Sequence, residues 1–349
     1  MAIHRLRRAG VLGSALALAA LATMSAAGPA GATTATAPLS QVTGTGVHNT
    51  YNPADYGYLA QALDTGTSMI ELDAWTDVIT GEWKVSHSNP FGNANNCVDA
   101  AGPADLYRGS ANKDLGSCLD DVRIWLAAHP SAGPVYLKVE LKNGFEANLG
   151  MGPAEFDAVL SAHLGGALFR PADLMAGRYP SPDAAARANA WPTRSALAGR
   201  ALAYVIPGTV ELANPFDTLH TDVEYSRYLR DLAAAGRIGQ ATAFPAVLGA
   251  ATGDPRTQYS DASLRPWFVF FDGDAASYVK QGGTDWYDIN HYILVMTDAH
   301  NVPPTLNDTA PPIPQAQARV AQLAAAHASV VSSDWYALPA VLSEVLPRG

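Results

Sequence analysis

Basic residues are scarce in this sequence. The chain of 349 residues has 22 lysines and arginines against 32 aspartates and glutamates, which gives a formal net charge of −10 at pH 7. Such a balance repels phosphate backbones, so we expect no nucleic-acid partner. The same balance argues against binding of anionic lipid by a cluster of basic side chains. Any transient contact with a membrane surface should therefore rest on apolar side chains or on a bound cation.

Long hydrophobic runs are also missing, apart from one near the amino end. Residues 11–24 are mainly apolar, follow three arginines within the first eight residues and precede a stretch of small residues, which is the order of an export signal. This run is shorter than the roughly 20 residues that a membrane-spanning helix needs. We therefore predict a signal peptide over residues 1–32, in preference to a retained anchor, and a secreted, monomeric chain over residues 33–349.

Cysteine is nearly absent. Cys97 and Cys118 stand as an isolated pair, and in an exported protein such a pair usually forms a disulfide. Two buried thiols are the alternative. Metal ligation is less favoured, because no second cysteine pair or nearby histidine completes a site.

Short β-branched or aromatic runs alternate with helix-like stretches rich in Ala, Leu and Arg. This alternation predicts a parallel sheet, and the chain length fits an α/β fold with a single TIM-like (β/α) barrel, whose active site lies at the carboxyl ends of the strands. A doubly wound open sheet is the alternative, but no glycine-rich phosphate loop follows the first strand. The proline-bearing segments 180–192 and 303–314 are predicted to be loops. The predicted strands are Met69–Leu72, Val135–Leu141, Ala201–Ile206, Trp267–Phe271, Tyr292–Met296 and Ser329–Val331.

Polar residues gather where predicted strands end. Glu71 and Asp73 are two residues apart, so on an extended strand both carboxylates point to the same side and repel each other unless a cation lies between them. Asn49 and Glu140 can add oxygen ligands from neighbouring strands. Calcium takes about six to eight oxygen ligands, whereas zinc prefers nitrogen or sulfur, so the pattern predicts a Ca²⁺ site.

Four motifs follow one another between residues 44 and 143. They are a His-Asn-Thr-Tyr segment that begins at His48, the Glu71-x-Asp73 pair before a tryptophan, the strand-end His87, and Glu140 late on the next strand. In content and order they resemble the phosphoinositide-specific phospholipases C, and most closely their small secreted calcium-dependent bacterial branch. The resemblance implies that Asn49, Glu71, Asp73 and Glu140 are the protein ligands of a catalytic calcium.

The resemblance also implies a reaction, the cleavage of phosphatidylinositol or a related phosphodiester lipid. Attack by the inositol 2-hydroxyl would give diacylglycerol and a cyclic inositol phosphate. His48 would stabilise charge on the phosphoryl oxygens, and His87 would protonate the leaving diacylglycerol oxygen. Either Glu71 or Glu140 would act as the general base. Lys142, on the same side of its strand as Glu140, would hold the phosphate or form a plain ion pair with a neighbouring acid.

Two other functions remain open. A glycerophosphodiester phosphodiesterase also uses a barrel with two histidines and a Glu-x-Asp pair, but that family normally has His-Arg-Gly where this sequence has His48-Asn49-Thr50. Activity on glycerophosphocholine would support it. A catalytically inactive binding module should have lost a histidine or a ligand, and every position that can be aligned with the family's motif is filled.

Overall fold

The computed structural model describes residues 34–251 and 253–349. The predicted signal peptide, residues 1–32, lies outside the described residues. Among the helices within them, none is both long and apolar enough to cross a bilayer.

A closed barrel of parallel strands organises the chain and confirms the predicted TIM-like fold. The strands of the described residues are β1 (Val42–Val47), β2 (Met69–Asp77), β3 (Glu82–Val85), β4 (Val135–Leu141), β5 (Ala201–Pro207), β6 (Ala243–Leu248), β7 (Phe270–Asp274), β8 (Ile293–Thr297), β9 (Val330–Ser333) and β10 (Leu346–Pro347). Around the barrel the order is β1-β2-β4-β5-β6-β7-β8-β9, and β9 pairs back to β1. β3 and β10 are antiparallel additions to β2 and β1.

Helices lie in the connections between strands and cover the outside of the barrel, and α2 packs against α3 there. The helices with defined bounds are α1 (Leu59–Asp64), α2 (Leu115–Ala128), α3 (Pro153–Leu164), α4 (Pro171–Met175), α5 (Pro182–Arg187), α6 (Thr209–Ala213), α7 (Thr221–Ala234), α8 (Ala275–Gln281), α9 (Asp285–Ile289), α10 (Ile313–Ala325) and α11 (Pro339–Leu342). The loop prediction for residues 180–192 is therefore wrong, because α5 begins there with a Ser181 cap. The prediction for residues 303–314 holds up to the start of α10.

Two glycines allow the barrel to close between β1 and β2. A Cβ atom on Gly44 would lie 2.5 Å from Ser68 Cβ, which is too short a contact to exist. A Cβ atom on Gly46 would lie 3.1 Å from Met69 Cβ, which is tighter than ordinary van der Waals contact. The absence of a side chain at both positions therefore lets the two strands approach.

The barrel interior changes from aromatic to charged along the strands. The ring of Phe270 lies 5.1, 5.2 and 6.0 Å, between centroids, from the rings of Phe244, Tyr204 and Tyr136. Side chains of a strand alternate between its two faces, so residues 138 and 140 follow Tyr136 on the inward face of β4. A packed aromatic floor thus supports a polar mouth at the carboxyl ends of the strands.

Candidate active site

Three carboxylates meet where β2 and β4 approach the mouth. Glu71 and Asp73 belong to β2, and the register sets Asp73 directly beside Glu140 of β4. Each residue offers one oxygen, and these three atoms lie within 4.8 Å of one another. Glu71 and Asp73 are almost fully buried. Buried like charges this close require positive charge between or beside them.

The oxygen atoms of this cluster fit a hard divalent cation. Asp73 Oδ1 is buried without a hydrogen-bond partner among the described residues, which is costly unless a ligand binds it. Asn49 follows β1 with a left-handed φ of 53°. Its N–H donates to Glu71 Oε2 over 3.3 Å, and its side-chain oxygen accepts from the Tyr51 hydroxyl over 3.0 Å, which leaves that oxygen a second lone pair. Three carboxylates and an amide oxygen are typical ligands of Ca²⁺.

Two buried lysines are ion-paired with the carboxylates of this cluster and partly neutralise their negative charge. Lys142 Nζ lies 3.1 Å from Asp73 Oδ2 and 2.8 Å from Glu140 Oε1, so the ion pair that the sequence left open is present. Lys138 Nζ lies 3.2 Å from Glu71 Oε1. Burial opposes ionisation of Glu71, but the charges of Lys138 and His48 and the hydrogen bonds to the carboxylate together outweigh burial and lower the pKa of that carboxyl. Burial and the two neighbouring acids instead raise the pKa of Asp73 to about 7.

His48 connects this cluster to the end of β9. Its Nδ1 lies 2.8 Å from Asp334 Oδ1, and its Nε2 lies 3.9 Å from Glu71 Oε2. Burial favours the neutral imidazole, but the charges of Glu71 and Asp334 outweigh it and raise the pKa of His48 to about 9. At neutral pH the ring is therefore a cation, with Nε2 turned towards the acids.

His87 lies in the loop that follows β3. Its side chain is exposed and lines a cavity of about 380 Å³ that Asn49 and Tyr51 also line. The loop is fixed at its start, because Ser86 N–H donates to the Asp73 carbonyl over 3.2 Å. The structure thus brings His87 to the same cavity as one of the predicted metal ligands.

The predicted disulfide between Cys97 and Cys118 is confirmed, with Cα atoms 4.9 Å apart. It ties the loop after β3 to α2. Asp121 of α2 reinforces this link, since its carboxylate accepts hydrogen bonds of 2.7 and 2.8 Å from the N–H groups of Val98 and Ala100. The loop that begins beside His87 is therefore anchored at its far end as well.

Sequence reasoning assigned no role to the residues that hold these groups in place. Asp334 and Asp272 contact His48 and Lys138; the sequence placed both acids at strand ends, where it predicted a polar barrel mouth, but did not select them as site residues. The available signal was their position at or just after a strand end, which is the rule that selected Asp73. Lys138 carried a signal as well, because it precedes a predicted ligand by two residues on the same face of its strand.

The fold and site define a class, α/β barrels with an acidic candidate metal centre and two histidines at the mouth. Among solved structures, the chain is similar to a Ca²⁺-dependent phosphatidylinositol-specific phospholipase C from Streptomyces antibioticus, with a TM-score of 0.87 and 53% sequence identity over 89% of this chain and 99% of that one. No protein-family model and no curated protein matches the chain. At this identity and coverage, the chain belongs to the family of calcium-dependent phosphatidylinositol-specific phospholipases C.

More distant likenesses extend the fold comparison. Two structures of a calcium-dependent phosphoinositol-specific phospholipase C from the Gram-negative bacterium Pseudomonas sp., one of them a myo-inositol complex, match with TM-scores of 0.66 and 0.65. The matches cover 90% and 92% of this chain and 97% of each of those chains, at 20% identity. At that identity the likeness shows the barrel fold alone.

Proposed function

We propose that this chain is a secreted, calcium-dependent phospholipase C that cleaves phosphatidylinositol, or a closely related phosphodiester lipid, into diacylglycerol and a cyclic inositol phosphate. The convergence of Glu71, Asp73 and Glu140 within 4.8 Å, beside Asn49 and His48, carries the proposal. The Streptomyces relative, which is Ca²⁺-dependent and phosphatidylinositol-specific, supports the same activity. The glycerophosphodiesterase and the inactive binding module are not favoured.

The ligand candidates Asn49, Glu71, Asp73 and Glu140 would hold the calcium. Calcium bound there would lower the pKa of the inositol 2-hydroxyl and neutralise charge on the phosphate. The nucleophile belongs to the substrate itself, so its attack on phosphorus has a small entropy cost and a cyclic phosphate forms first. The protein's own side chains then have to hold the phosphate and move two protons.

The two histidines differ in their proposed tasks. His48 is cationic, and Asp334 occupies its Nδ1, so Nε2–H is the donor for the charge that builds up on the phosphoryl oxygens. His87 is exposed at the cavity and gives its proton to the departing diacylglycerol oxygen. An exposed position suits this role, because the diacylglycerol side of the substrate remains in the membrane.

Of the two candidate bases, Glu140 is better suited than Glu71. The Glu71 side chain is only 2% exposed, and its two oxygens are engaged by the Lys138 ammonium and by a backbone N–H. The Glu140 side chain is 13% exposed, and its contacts with Lys142 and Thr209 N–H both fall on Oε1. A general base must reach the proton that it removes, which favours the more open carboxylate.

Lys142 is the proposed contact for the substrate phosphate. Its ammonium lies beside Asp73 and Glu140, two of the ligand candidates. A phosphate drawn to the same cation would therefore meet a second positive charge there, which strengthens its binding through charge-assisted hydrogen bonds.

Three exposed side chains, Ile79, Phe91 and Phe216, form what we call the apolar rim, and we assign it transient contact with the membrane surface. They are 84%, 80% and 92% exposed. Ile79 lies beyond the carboxyl end of β2, Phe91 in the loop of His87 and Phe216 in the segment after β5. An acidic protein cannot bind anionic lipid by charge alone, so insertion of these side chains would hold the mouth at the lipid surface.

Secretion as a monomer completes the proposal. The export signal over residues 1–32 motivates it, and the Cys97–Cys118 disulfide is consistent with an oxidising compartment outside the cytosol.

Turnover of phosphatidylinositol in mixed micelles, after treatment of the protein with a chelator, tests the proposed activity. We expect no product in chelator and recovery when calcium is added in excess. Glycerophosphocholine serves as the second substrate, because it lacks the inositol hydroxyl. Its cleavage at a comparable rate would support the glycerophosphodiesterase instead, and no turnover of either substrate with calcium would support a binding module.

A further inference from the structure

The barrel interior beneath the acid cluster holds a second set of charges. Lys138 of β4 is the register neighbour of Glu71 on β2. Its Nζ lies 3.2 Å from Glu71 Oε1 and 3.5 Å from Asp272 Oδ2, and each of the three side chains is less than a tenth exposed. An ammonium this deep is stable only when it is paired, so the two carboxylates fix its position.

Tyr204 holds the second carboxylate of this set. Its hydroxyl donates to Asp272 Oδ2 over 2.8 Å, and its ring stacks on Phe270 with centroids 5.2 Å apart. Tyr204 is also the register neighbour of Lys138 on the side away from Glu71. Glu71, Lys138 and Tyr204 therefore form one layer across the adjacent strands β2, β4 and β5. This layer rests on the aromatic floor of the barrel.

This arrangement divides the two oxygens of Glu71 between different tasks. Oε1 is held from the interior by Lys138. Oε2 accepts the Asn49 N–H over 3.3 Å and is the oxygen nearest His48 Nε2, at 3.9 Å. The interior ammonium thereby keeps the carboxylate in the orientation that presents Oε2 to the mouth.

We propose that Lys138, held by Asp272 and Tyr204, is a positioning residue that orients Glu71 and so sets the affinity of the site for calcium. This inference rests on the proposed function, since it assumes that Glu71 is a calcium ligand. Residues that fix a metal ligand from behind commonly contribute about 10- to 100-fold to metal affinity.

Removing Lys138 alone would mix two effects, because the loss of a positive charge also favours binding of a cation. The double variant Lys138→Met/Asp272→Asn avoids this, since it removes one positive and one negative charge and leaves the net charge near Glu71 unchanged. Tyr204→Phe is a milder variant that removes only the hydroxyl on Asp272. Tyr136→Phe is its matched control, because that buried hydroxyl has no hydrogen-bond partner among the described residues.

Calcium binding to the purified full chain, measured by titration calorimetry without lipid, tests the proposal. We expect the double variant to bind calcium about 10- to 100-fold more weakly than the wild type. The calcium affinity of Tyr204→Phe should lie between those of the wild type and the double variant. The calcium affinity of Tyr136→Phe should equal that of the wild type. In lipid assays the affected variants should need more calcium for half-maximal rate, yet recover near wild-type kcat at saturating calcium, which a merely unfolded fraction would not do.

The outcomes separate this inference from the proposed function. If the wild type binds calcium and both the double variant and Tyr204→Phe bind it equally well, the positioning role is overturned while the proposed function stands. If the wild type binds no calcium, the proposed function itself fails. If the double variant does not fold, the calcium affinities of Tyr204→Phe and Tyr136→Phe are compared instead. Equal affinities for these two variants would overturn the positioning role.

Discussion

The two imidazoles of the candidate active site have opposite surroundings. His48 is wedged between Glu71 and Asp334, whose charges keep it protonated despite burial. His87 lies exposed in a loop. Pairs of titratable groups in unlike environments are a common way for one site to divide its chemistry. The surroundings therefore support a fixed electrostatic role for His48 and a proton-transfer role for His87.

His87→Ala tests the proton transfer directly. With the natural diacylglycerol leaving group, turnover should fall by roughly 10²- to 10⁴-fold, the usual range for general acid catalysis. A substrate with a nitrophenolate leaving group needs no protonation, so the same variant should lose much less. Initial rates on the two substrates at saturating calcium measure this.

His48→Ala is the matched comparison for that experiment. Charge develops on the phosphoryl oxygens with either leaving group, so both substrates should lose activity to a similar extent. Equal losses on both substrates for His87→Ala would exclude it as the acid that protonates the leaving group.

At the scale of single residues, the sequence selected candidate groups for the chemistry but assigned no role to the side chains that hold those groups in place. Glu71 and Asp73 stand out because two acids at a spacing of two within an apolar strand are costly without a cation. Asp334 becomes significant only through its contact with His48, which lies 286 residues away in the sequence. Such a pairing depends on closure of β9 against β1, which a local pattern cannot reveal.

The loop between β3 and α2 is the element that depends most on covalent anchoring. Between residues 86 and 114 it has only one short 3₁₀ turn among the described elements, and the Cys97–Cys118 bond closes a separation of 21 residues. Cys97→Ser/Cys118→Ser should lower the free energy of unfolding by about 3 kcal/mol in the chain-entropy model. Urea unfolding with and without a reductant measures it. A wild type that reductant does not destabilise would contradict the expectation.

A buried carboxyl joins α3, α7 and the start of β6. Asp157 Oδ1 accepts hydrogen bonds from the Tyr225 and Thr242 hydroxyls, yet burial prevails over these donors and raises the pKa of Asp157 to about 6. The folded state therefore favours the protonated form. The stability that this carboxyl contributes is present below about pH 4 and is lost as the pH rises through 6.

Asp157→Asn should remove that pH dependence, because the amide stays neutral and keeps an acceptor oxygen. We expect the variant to gain stability over the wild type, by more at pH 8 than at pH 5 and approaching about 3 kcal/mol above pH 7. Urea unfolding of both proteins at the two pH values is the test. A difference that is the same at both would show that the carboxyl does not titrate as described.

The sequence predicted six barrel strands, while β1 and β6 were missed for identifiable reasons. β1 contains Gly44 and Gly46, which weaken a strand pattern although closure of the barrel requires them. β6 contains Pro245, a residue that normally argues against a central strand. In both strands the tertiary fit of the closed barrel overrides local preference.

On the scale of the whole molecule, the position of the apolar rim makes a prediction about lipid binding. Phe91→Ser/Phe216→Ser should weaken binding to vesicles of phosphatidylcholine and phosphatidylinositol, by at least about tenfold for each phenylalanine that inserts. Vesicle sedimentation across a range of lipid concentrations measures it.

Ile289→Ser is the control for the rim variant, because Ile289 is 69% exposed but lies in α9, ahead of the amino end of β8. Its binding should equal that of the wild type. An equal loss for the control and the rim variant would mean that the mouth has no special contact with lipid.

The central claim is that calcium held at the barrel mouth drives attack of the inositol hydroxyl on its own phosphate. Phosphorus NMR of phosphatidylinositol vesicles with purified protein, in calcium and in excess chelator, tests it most directly. We predict that the cyclic inositol phosphate resonance appears first in calcium, and that the phosphatidylinositol signal stays unchanged in chelator. Full turnover in chelator, or an acyclic phosphate formed without a cyclic precursor, would contradict the account.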